Sequence, residues 1–325
     1  MDALSGLLDG PRARGAFLLR SILDPPWSLR IQDGSPLSLI TLLRGEAWIV
    51  REDAGSAHIG AGDVAVVNGT QPYVLADSPG TAPQIIIHPG QRCESVDGTE
   101  MTMTGQGVRT WGAAPDGGTV MISGTYQMQS EVSRRLLDAL PGVLIRPAAS
   151  GDKALIDLLV REMGGTEPAQ DLVLDRLLDL VLVSVLRSWL ATPSQDPPGW
   201  HHAQGDPVVG TALRLIHDDP AYGWTVAALA TRAGVSRASL ARRFAEVVGE
   251  PPMAYLTGWR LTLAADLLRQ SEATLEAVAH RVGYGSAFAL STAFKRERGV
   301  SPQEYRRRPA IAPRPAVLAG VVRLG

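Results

Sequence analysis

Residues 225–255 read TVAALATRAGVSRASLARRFAEVVGEPPMAY, and residues 274–305 read TLEAVAHRVGYGSAFALSTAFKRERGVSPQEY. Thr225, Ala230, Gly234, Phe244, Gly249, Pro252 and Tyr255 return as Thr274, Ala279, Gly283, Phe294, Gly299, Pro302 and Tyr305. The offset is 49 residues as far as the first glycine of this series (Gly234, Gly283) and 50 after it, so one residue has been added in or just after the second turn. Self-similarity of this kind marks a duplicated supersecondary unit. The unit reads as helix, tight turn, helix.

In the first copy Val226, Leu229 and Ala230 fall on one face of a short helix. Gly234 supplies the positive φ of the turn, and Ser236 stands where a cap opens the next helix. Leu240 and Phe244, four apart, face inward. Arg237, Ala238, Ala241, Arg242 and Arg243 face outward. Arginines set among small side chains suit a helix pressed into a DNA major groove. The guanidinium clamps phosphate or guanine, and alanine allows close approach or touches a thymine methyl. The second copy places Val278 and Ala279 inward, Gly283 at the turn and Ser286 at the cap. Its second helix buries Phe294 with Leu290 and displays Ala287, Phe288, Ser291 and Thr292. Lys295, Arg296 and Arg298 follow at the end, as phosphate contacts. Between the copies, residues 252–269 form a connector whose one internal weak point is Gly258. Such a rod would set both reading helices on one face of a duplex. Double-stranded DNA is the first partner to consider.

Charge supports that reading. Of the 325 residues, 206–325 carry a net charge of +6 and 1–205 a net charge of −8. An acidic front and a basic back fit a DNA-binding tail on a non-binding head. A single cysteine, Cys93, excludes an intramolecular disulfide framework and a Cys-rich zinc finger. No signal-peptide pattern opens the chain. The most apolar stretch, 172–191, is broken by Asp175, Arg176, Asp179 and Arg187, so no membrane partner is expected. The expected location is the cytoplasm.

Ahead of the duplication, 15–150 holds short apolar runs cut by turn residues: LSLITLL (37–43), EAWIV (46–50), DVAVV (63–67), QIIIH (84–88) and TVMISGTY (119–126). Such spacing predicts a small all-β barrel or sandwich. The glycine-rich stretch 91–118 predicts a long loop. Helical periodicity takes over at 152–163 and 170–191. There Leu174, Leu177, Leu178, Val181, Leu182, Val185, Leu186 and Trp189 make a wide stripe that must cover the β-domain, a homodimer seam or both. Residues 192–205 read as a linker, and His201 and His202 within it as solvated.

Residues 206–308 resemble the C-terminal domain of the AraC/XylS family of bacterial transcription regulators. The likeness rests on Trp259-Arg260, Val282-Gly283-Tyr284, Phe294-Lys295-Arg296, Gly299-Val300-Ser301-Pro302 and Tyr305-Arg306. It implies base reading by Ala238, Ala241 and Arg242 in the first unit and by Ala287, Phe288 and Thr292 in the second. At the place of Thr292 many members carry a long polar or basic residue. The expected DNA-binding set is Ser236, Arg237, Ala238, Ala241, Arg242, Arg243, Ala287, Phe288, Ser291, Thr292, Lys295 and Arg296. The head resembles the cupin-type domain of one branch of that family, through MDALSGLL (1–8), Pro26-Trp27, Gly45-Glu46-Ala47-Trp48, Ala61-Gly62-Asp63-Val64 and LLDALP (136–141).

Catalytic cupins hold a metal with a His-x-His pair, a glutamate and a later histidine. Here 36–46 contains no histidine and the later position reads Gln71-Pro72-Tyr73, so neither metal nor cofactor nor catalytic residue is expected. His88 and Cys93 remain as a candidate redox or metal pair, beside Arg92. Trp27, Trp48 and Tyr73 are candidates for lining an effector pocket. The expected fold is α+β in two domains. A cupin-like β-barrel (1–150) carries a helical appendage (151–191). A linker (192–205) leads to an all-α domain of two helix-turn-helix units joined by a long helix (206–308), then a tail (309–325). The expected function is a sequence-specific, nucleoid-associated transcriptional regulator, an activator, controlled by a small effector or redox signal. Homodimerisation, and RNA polymerase contact in activation, belong to that expectation. The alternatives are a cupin metalloenzyme fused to a non-functional helical domain, and a nucleoid-type binder without an effector.

Overall fold

The computed structural model describes residues 17–101, 109–112, 116–126, 131, 134, 137–148, 152–191, 203, 206–307 and 318–323. The MDALSGLL opening, His201, His202 and most of the linker lie outside the described residues. Two compact units result. One holds Pro11–Met128, Leu137–Pro193 and Ala312–Gly325; the other is built on Ser194–Ile311 and includes Gln129–Leu136. The stretch 129–136, which the sequence places in the head domain, therefore belongs with the helical unit. The tail belongs in part with the barrel unit.

The barrel unit is made of β1 (Phe17–Leu23), β2 (Ser28–Ile31), β3 (Leu37–Arg44), β4 (Glu46–Arg51), β5 (Gly55–Gly60), β6 (Val64–Asn68), β7 (Tyr73–Ala76), β8 (Ile85–Ile87), β9 (Cys93–Ser95), β10 (Glu100–Met101), β11 (Thr110–Gly112), β12 (Thr119–Tyr126), β13 (Pro141–Arg146) and β14 (Leu318–Arg323). They form two seven-stranded sheets, ordered β11-β1-β12-β3-β6-β13-β14 and β10-β9-β8-β2-β7-β4-β5. Three short strands, β9, β10 and β11, occupy the stretch 91–118 that its glycines mark as loop. Each is held by a ladder to a longer or better-formed neighbour rather than by its own propensity.

Apolar patterning decides which strands are covered twice. β4 alternates between buried and less buried positions, whereas β3 is buried from Leu37 to Leu42 without interruption. A strand with no polar face needs cover on both sides. Ile40 and Leu42 of β3 join Met121, Val143, Leu29, Ile49 and Leu75 in the core shared by both sheets. On the opposite face Leu39 sits beside Gly124 of β12. A β-carbon on Gly124 would stand 2.8 Å from the methyl groups of Leu178. Leu178 lies on α2 (Gln170–Ala191), which follows α1 (Asp152–Met163). All eight apolar side chains of the predicted α2 stripe are buried within this unit. Each contributes about 1.5–3 kcal/mol on burial. Of the two uses the sequence leaves open, packing on the barrel takes the stripe. Arg51 of β4, with its side chain fully buried, donates to the carbonyls of Asn68 and Gly142 and pairs with Asp53. One guanidinium thereby ties β4 in one sheet to the ends of β6 and β13 in the other.

The helical unit runs α3 (Pro207–Asp218), α4 (Val226–Arg232), α5 (Arg237–Val248), α6 (Pro252–Gln270), α7 (Leu275–Arg281), α8 (Ala287–Arg298) and α9 (Pro302–Arg307). It has two cores. Leu213, Ile216, Leu229, Leu240, Phe244 and Trp259 fill the first. Leu261, Leu268, Val278, Leu290, Phe294 and Tyr305 fill the second. α6 serves both, its first half facing one and its second half the other. Among the described residues, no helix is long and apolar enough to cross a membrane.

Candidate nucleic-acid interface and barrel cavity

Each recognition helix is set by the same three devices. Thr225 and Thr274 cap the first helices, accepting from the backbone N–H of Ala228 and Ala277 at 3.1 and 3.2 Å. Gly234 and Gly283 turn the chain at φ +70° and +83°. Ser236 and Ser286 then cap α5 and α8, each accepting from the third residue on at 3.2 Å. Ser236 is thereby occupied as a cap at the helix N-terminus. Side-chain caps of this kind are worth about 1 kcal/mol each. Leu240 with Phe244, and Leu290 with Phe294, are buried as the spacing predicts.

On the outer face, Arg237, Ala238, Arg242 and Arg243 of α5 are exposed and Ala241 is half-buried. They differ in what holds them. The Arg242 guanidinium pairs with Glu246 one turn on, at 2.9 Å. Arg243 turns the other way, onto Asp206, the cap of α3. Of the three predicted arginines, Arg243 is thus tied to the support of the helix. On α8 Phe288 is 81% exposed, the most exposed large apolar side chain among the described residues. Thr292, also exposed, donates its hydroxyl to the Phe288 carbonyl at 3.0 Å. Lys295 and Arg296 are exposed, while Ala287 and Ser291 are half-buried. Arg298, read from the sequence as a phosphate contact, is instead partly buried and pairs with Glu131 at 2.9 Å. A pair this little exposed is screened less by salt than a solvated contact would be.

Two acidic side chains escape a sequence reading. Glu276 accepts from the backbone N–H of Ala287 at 2.9 Å, so a carboxylate sits at the start of α8. Glu131 lies between β12 and β13 in sequence but in the helical unit in space.

Within the barrel, a cavity of about 40 Å³ is lined by Leu29, Ile31, Ile40, Met121 and Trp111, with Tyr73, Ser38, Asp33 and Gln91 as polar groups. Of the three predicted pocket residues, only Tyr73 reaches it. Its hydroxyl is pushed well above the ordinary range by burial, though a hydrogen bond to Ser38 works the other way. Trp27 is packed in the shared core away from the lining. Trp48 points to the other face of its sheet, because Ala47 and Ile49 take the inward positions, and rests against His58. Asp33, Gln91 and Trp111 had no flag in the sequence, since they lie in loops or short strands.

Cys93 is 1% exposed, in the shared core, and burial pushes its thiol up to about 11 despite Arg92. A sulfur held as thiol is a poor nucleophile and a poor ligand. His88 turns to Glu94 at 2.7 Å and Gln32 at 3.2 Å rather than to Cys93. Among the described residues, no three His, Cys, Asp or Glu side chains gather in a way that could hold a metal.

The Cupin family matches residues 2–191 and the Helix-turn-helix domain family matches residues 229–308. A Streptomyces lividans protein described as an AraC-like transcription regulator is 33% identical, over 96% of this chain and 100% of its own length. A Streptomyces antibioticus protein of the same description is 32% identical, over 95% and 99%. The HTH-type transcriptional regulator AlkR of Acinetobacter baylyi is 27% identical, over 94% and 99%. The metalloenzyme alternative finds no support among these relatives. Their similarity spans the barrel as well as the duplicated reading helices, and this chain belongs to the family of AraC-like transcription regulators.

Proposed function

We propose that this regulator reads DNA through both α5 and α8, with α6 as the spacer between two successive major-groove faces. The observation that carries the reading is the connector. α6 has 19 residues, so at about 1.5 Å per residue it is roughly 28 Å long, close to the ~34 Å between groove faces on one side of a duplex. Arg242 and Phe288 are the two long outward side chains best placed for base edges. Arg242 suits guanine and Phe288 suits a thymine methyl. Lys295 and Arg296 suit phosphate.

The barrel cavity is the proposed effector site. At ~10–15 Å³ per water, 40 Å³ holds about three waters. It therefore fits a small, mostly apolar molecule with one polar group directed at Tyr73 and Asp33, and anything larger would have to spread the sheets. A redox signal through Cys93 is the weaker reading, given its burial. Homodimerisation is proposed through the outer face of α2, where Leu172 and Leu180 stand 56% and 51% exposed eight residues apart. RNA polymerase would be a further partner if the bound sites lie at activated promoters.

The test is selection of duplexes by the full chain from a random library, followed by binding at rising salt. A recovered motif with two boxes about one helical turn apart is expected, with affinity falling steeply with salt. Equal affinity for random and selected duplexes would make the chain a non-specific binder and end this proposal.

A further inference from the structure

Tyr255 and Tyr305 are the same residue of the two repeats, and both pack edge-on against the buried phenylalanine of their unit, at 5.8 and 5.2 Å. Their hydroxyls go to different places. Tyr255 shares a hydrogen bond of 2.7 Å with His217 of α3, a helix of the same domain. Tyr305 donates at 2.6 Å to Glu131, some 170 residues away in sequence. Glu131 is buried, its side chain 4% exposed. Its carboxylate also receives Arg298 at 2.9 Å and Arg134 at 3.3 Å, and its backbone N–H donates to Asp266 of α6. Arg269 lies over the ring of Tyr305, 4.4 Å from its centre. One side chain thus touches α9 through Tyr305 and the last turn of α8 through Arg298, while its backbone touches α6.

Burial works to raise the Glu131 carboxyl, yet the Tyr305 hydroxyl and the Arg134 and Arg298 charges hold it below the usual carboxylate range. It is therefore an anion at neutral pH, and an anion this buried is stable only with its partners in place. The chain that bears it leaves β12 at Tyr126 and enters β13 at Pro141. β12 also contributes Met121, Ser123 and Thr125 to the lining of the cavity.

We propose that Glu131 is a positioning residue for the second reading helix: through Arg298 and Tyr305 it fixes the C-terminal end of α8 against α6 and α9. Glu131 itself does not touch DNA. The inference rests on the reading of α8 as a DNA-binding element, and it goes further in making that element conditional on a residue outside the helix-turn-helix sequence.

The test uses the full chain and duplexes selected by the wild-type protein, with the box under either unit scrambled in turn. Scrambling the box under α8 is expected to cost the wild type about tenfold or more. In Glu131→Ala that cost should fall to less than about threefold, while the cost of scrambling the box under α5 stays as in the wild type. Glu131→Gln keeps an acceptor for Tyr305 and loses the charge for Arg298. It should lie between the two, and it serves if the alanine variant fails to fold. Affinity reduced equally at both boxes would reduce Glu131 to a general structural role and overturn the proposal. So would unchanged discrimination at the α8 box in both variants, or tighter binding in either. A wild-type protein that selects no duplex would instead remove the DNA reading on which the proposal stands.

Discussion

The two helix-turn-helix units share their fold almost residue for residue and differ in what supports them. The first is completed inside its own domain. α3 supplies His217 to Tyr255, with the His217 ring stacked 4.4 Å from Trp259, and Asp206 to Arg243 at the back of α5. In the second, α6 leads into α7 after only residues 271–274, and among the described residues no counterpart of α3 precedes it. Its tyrosine and its back-facing arginine are served by Glu131 instead. The turns differ in the same direction. A β-carbon on Gly234 would meet nothing within 4 Å, whereas one on Gly283 would stand 2.7 Å from the backbone of Ala221 and 2.8 Å from the Arg260 guanidinium. Arg260 in turn clamps the carbonyls of Pro220 and Tyr222 at 2.6 and 2.7 Å. Duplication copied the reading element without its supports. The second copy therefore depends on neighbours that the first does not need.

The sharpest way to break this comparison is at the turns. Gly234→Ala should lose only the cost of a positive φ, about 1–2 kcal/mol. Gly283→Ala meets the same cost and must also move backbone held by Arg260, so about 2–5 kcal/mol is expected in denaturant unfolding. Equal losses would mean that the close approach at Gly283 is relieved without effort and the second turn is no more constrained than the first. The next test is reading. Arg242→Ala and Phe288→Ala should each cost about 1–3 kcal/mol and relax preference only at the bases under their own helix. Lys295→Ala should weaken all duplexes alike and lower the salt slope by about one. A uniform loss from Phe288→Ala would move Phe288 from base reading to general contact and leave the second unit as an anchor.

Much of this was legible in the chain because repeats and periodicity report local structure. The duplicated spacing fixed α4, α5, α7 and α8, their turns and both buried phenylalanines. The α2 stripe matched the buried set because a helix face obeys one period along its whole length. What failed was decided by contacts distant in sequence. β9, β10 and β11 exist through pairing with β8, β9 and β1, and no local pattern announces that. β14 joins the first sheet beside β13 from the far end of the chain, a pairing that spans more than half of the sequence. Residue type alone points to Trp48 for the cavity, whereas strand alternation with Ala47 and Ile49 sends it to the other face. Arg298 reads as a phosphate contact in sequence because its partner, Glu131, stands on a different stretch of the chain.

The smallest effect expected is acid sensitivity, and it compares the two carboxylates that brace the reading helices. Burial works to raise both. For Asp206 the N–H groups of Val209 and Val208 and the Arg243 guanidinium prevail. For Glu131 Tyr305, Arg134 and Arg298 prevail, with Asp266 the acidic neighbour on α6. Both therefore sit below their ordinary values in the folded protein. A group of this kind contributes fully at neutral pH. Its contribution fades as pH falls past the unfolded values of ~3.9 for Asp and ~4.3 for Glu, and is gone below the folded ones. Asp206→Asn keeps a good capping side chain and Glu131→Gln keeps an acceptor, so each should remove the charge contribution with little change of shape. Each variant should lose less stability than the wild type between pH 5 and pH 3, by an amount of about 1 kcal/mol or less for the more exposed Asp206 pair. Glu131→Gln should show the larger flattening, because its carboxylate is the more buried and has two arginines. If Asp206→Asn flattened the acid limb more, the first unit would be the one that leans on its charged brace, and the contrast between a self-supported reader and a borrowed support would reverse.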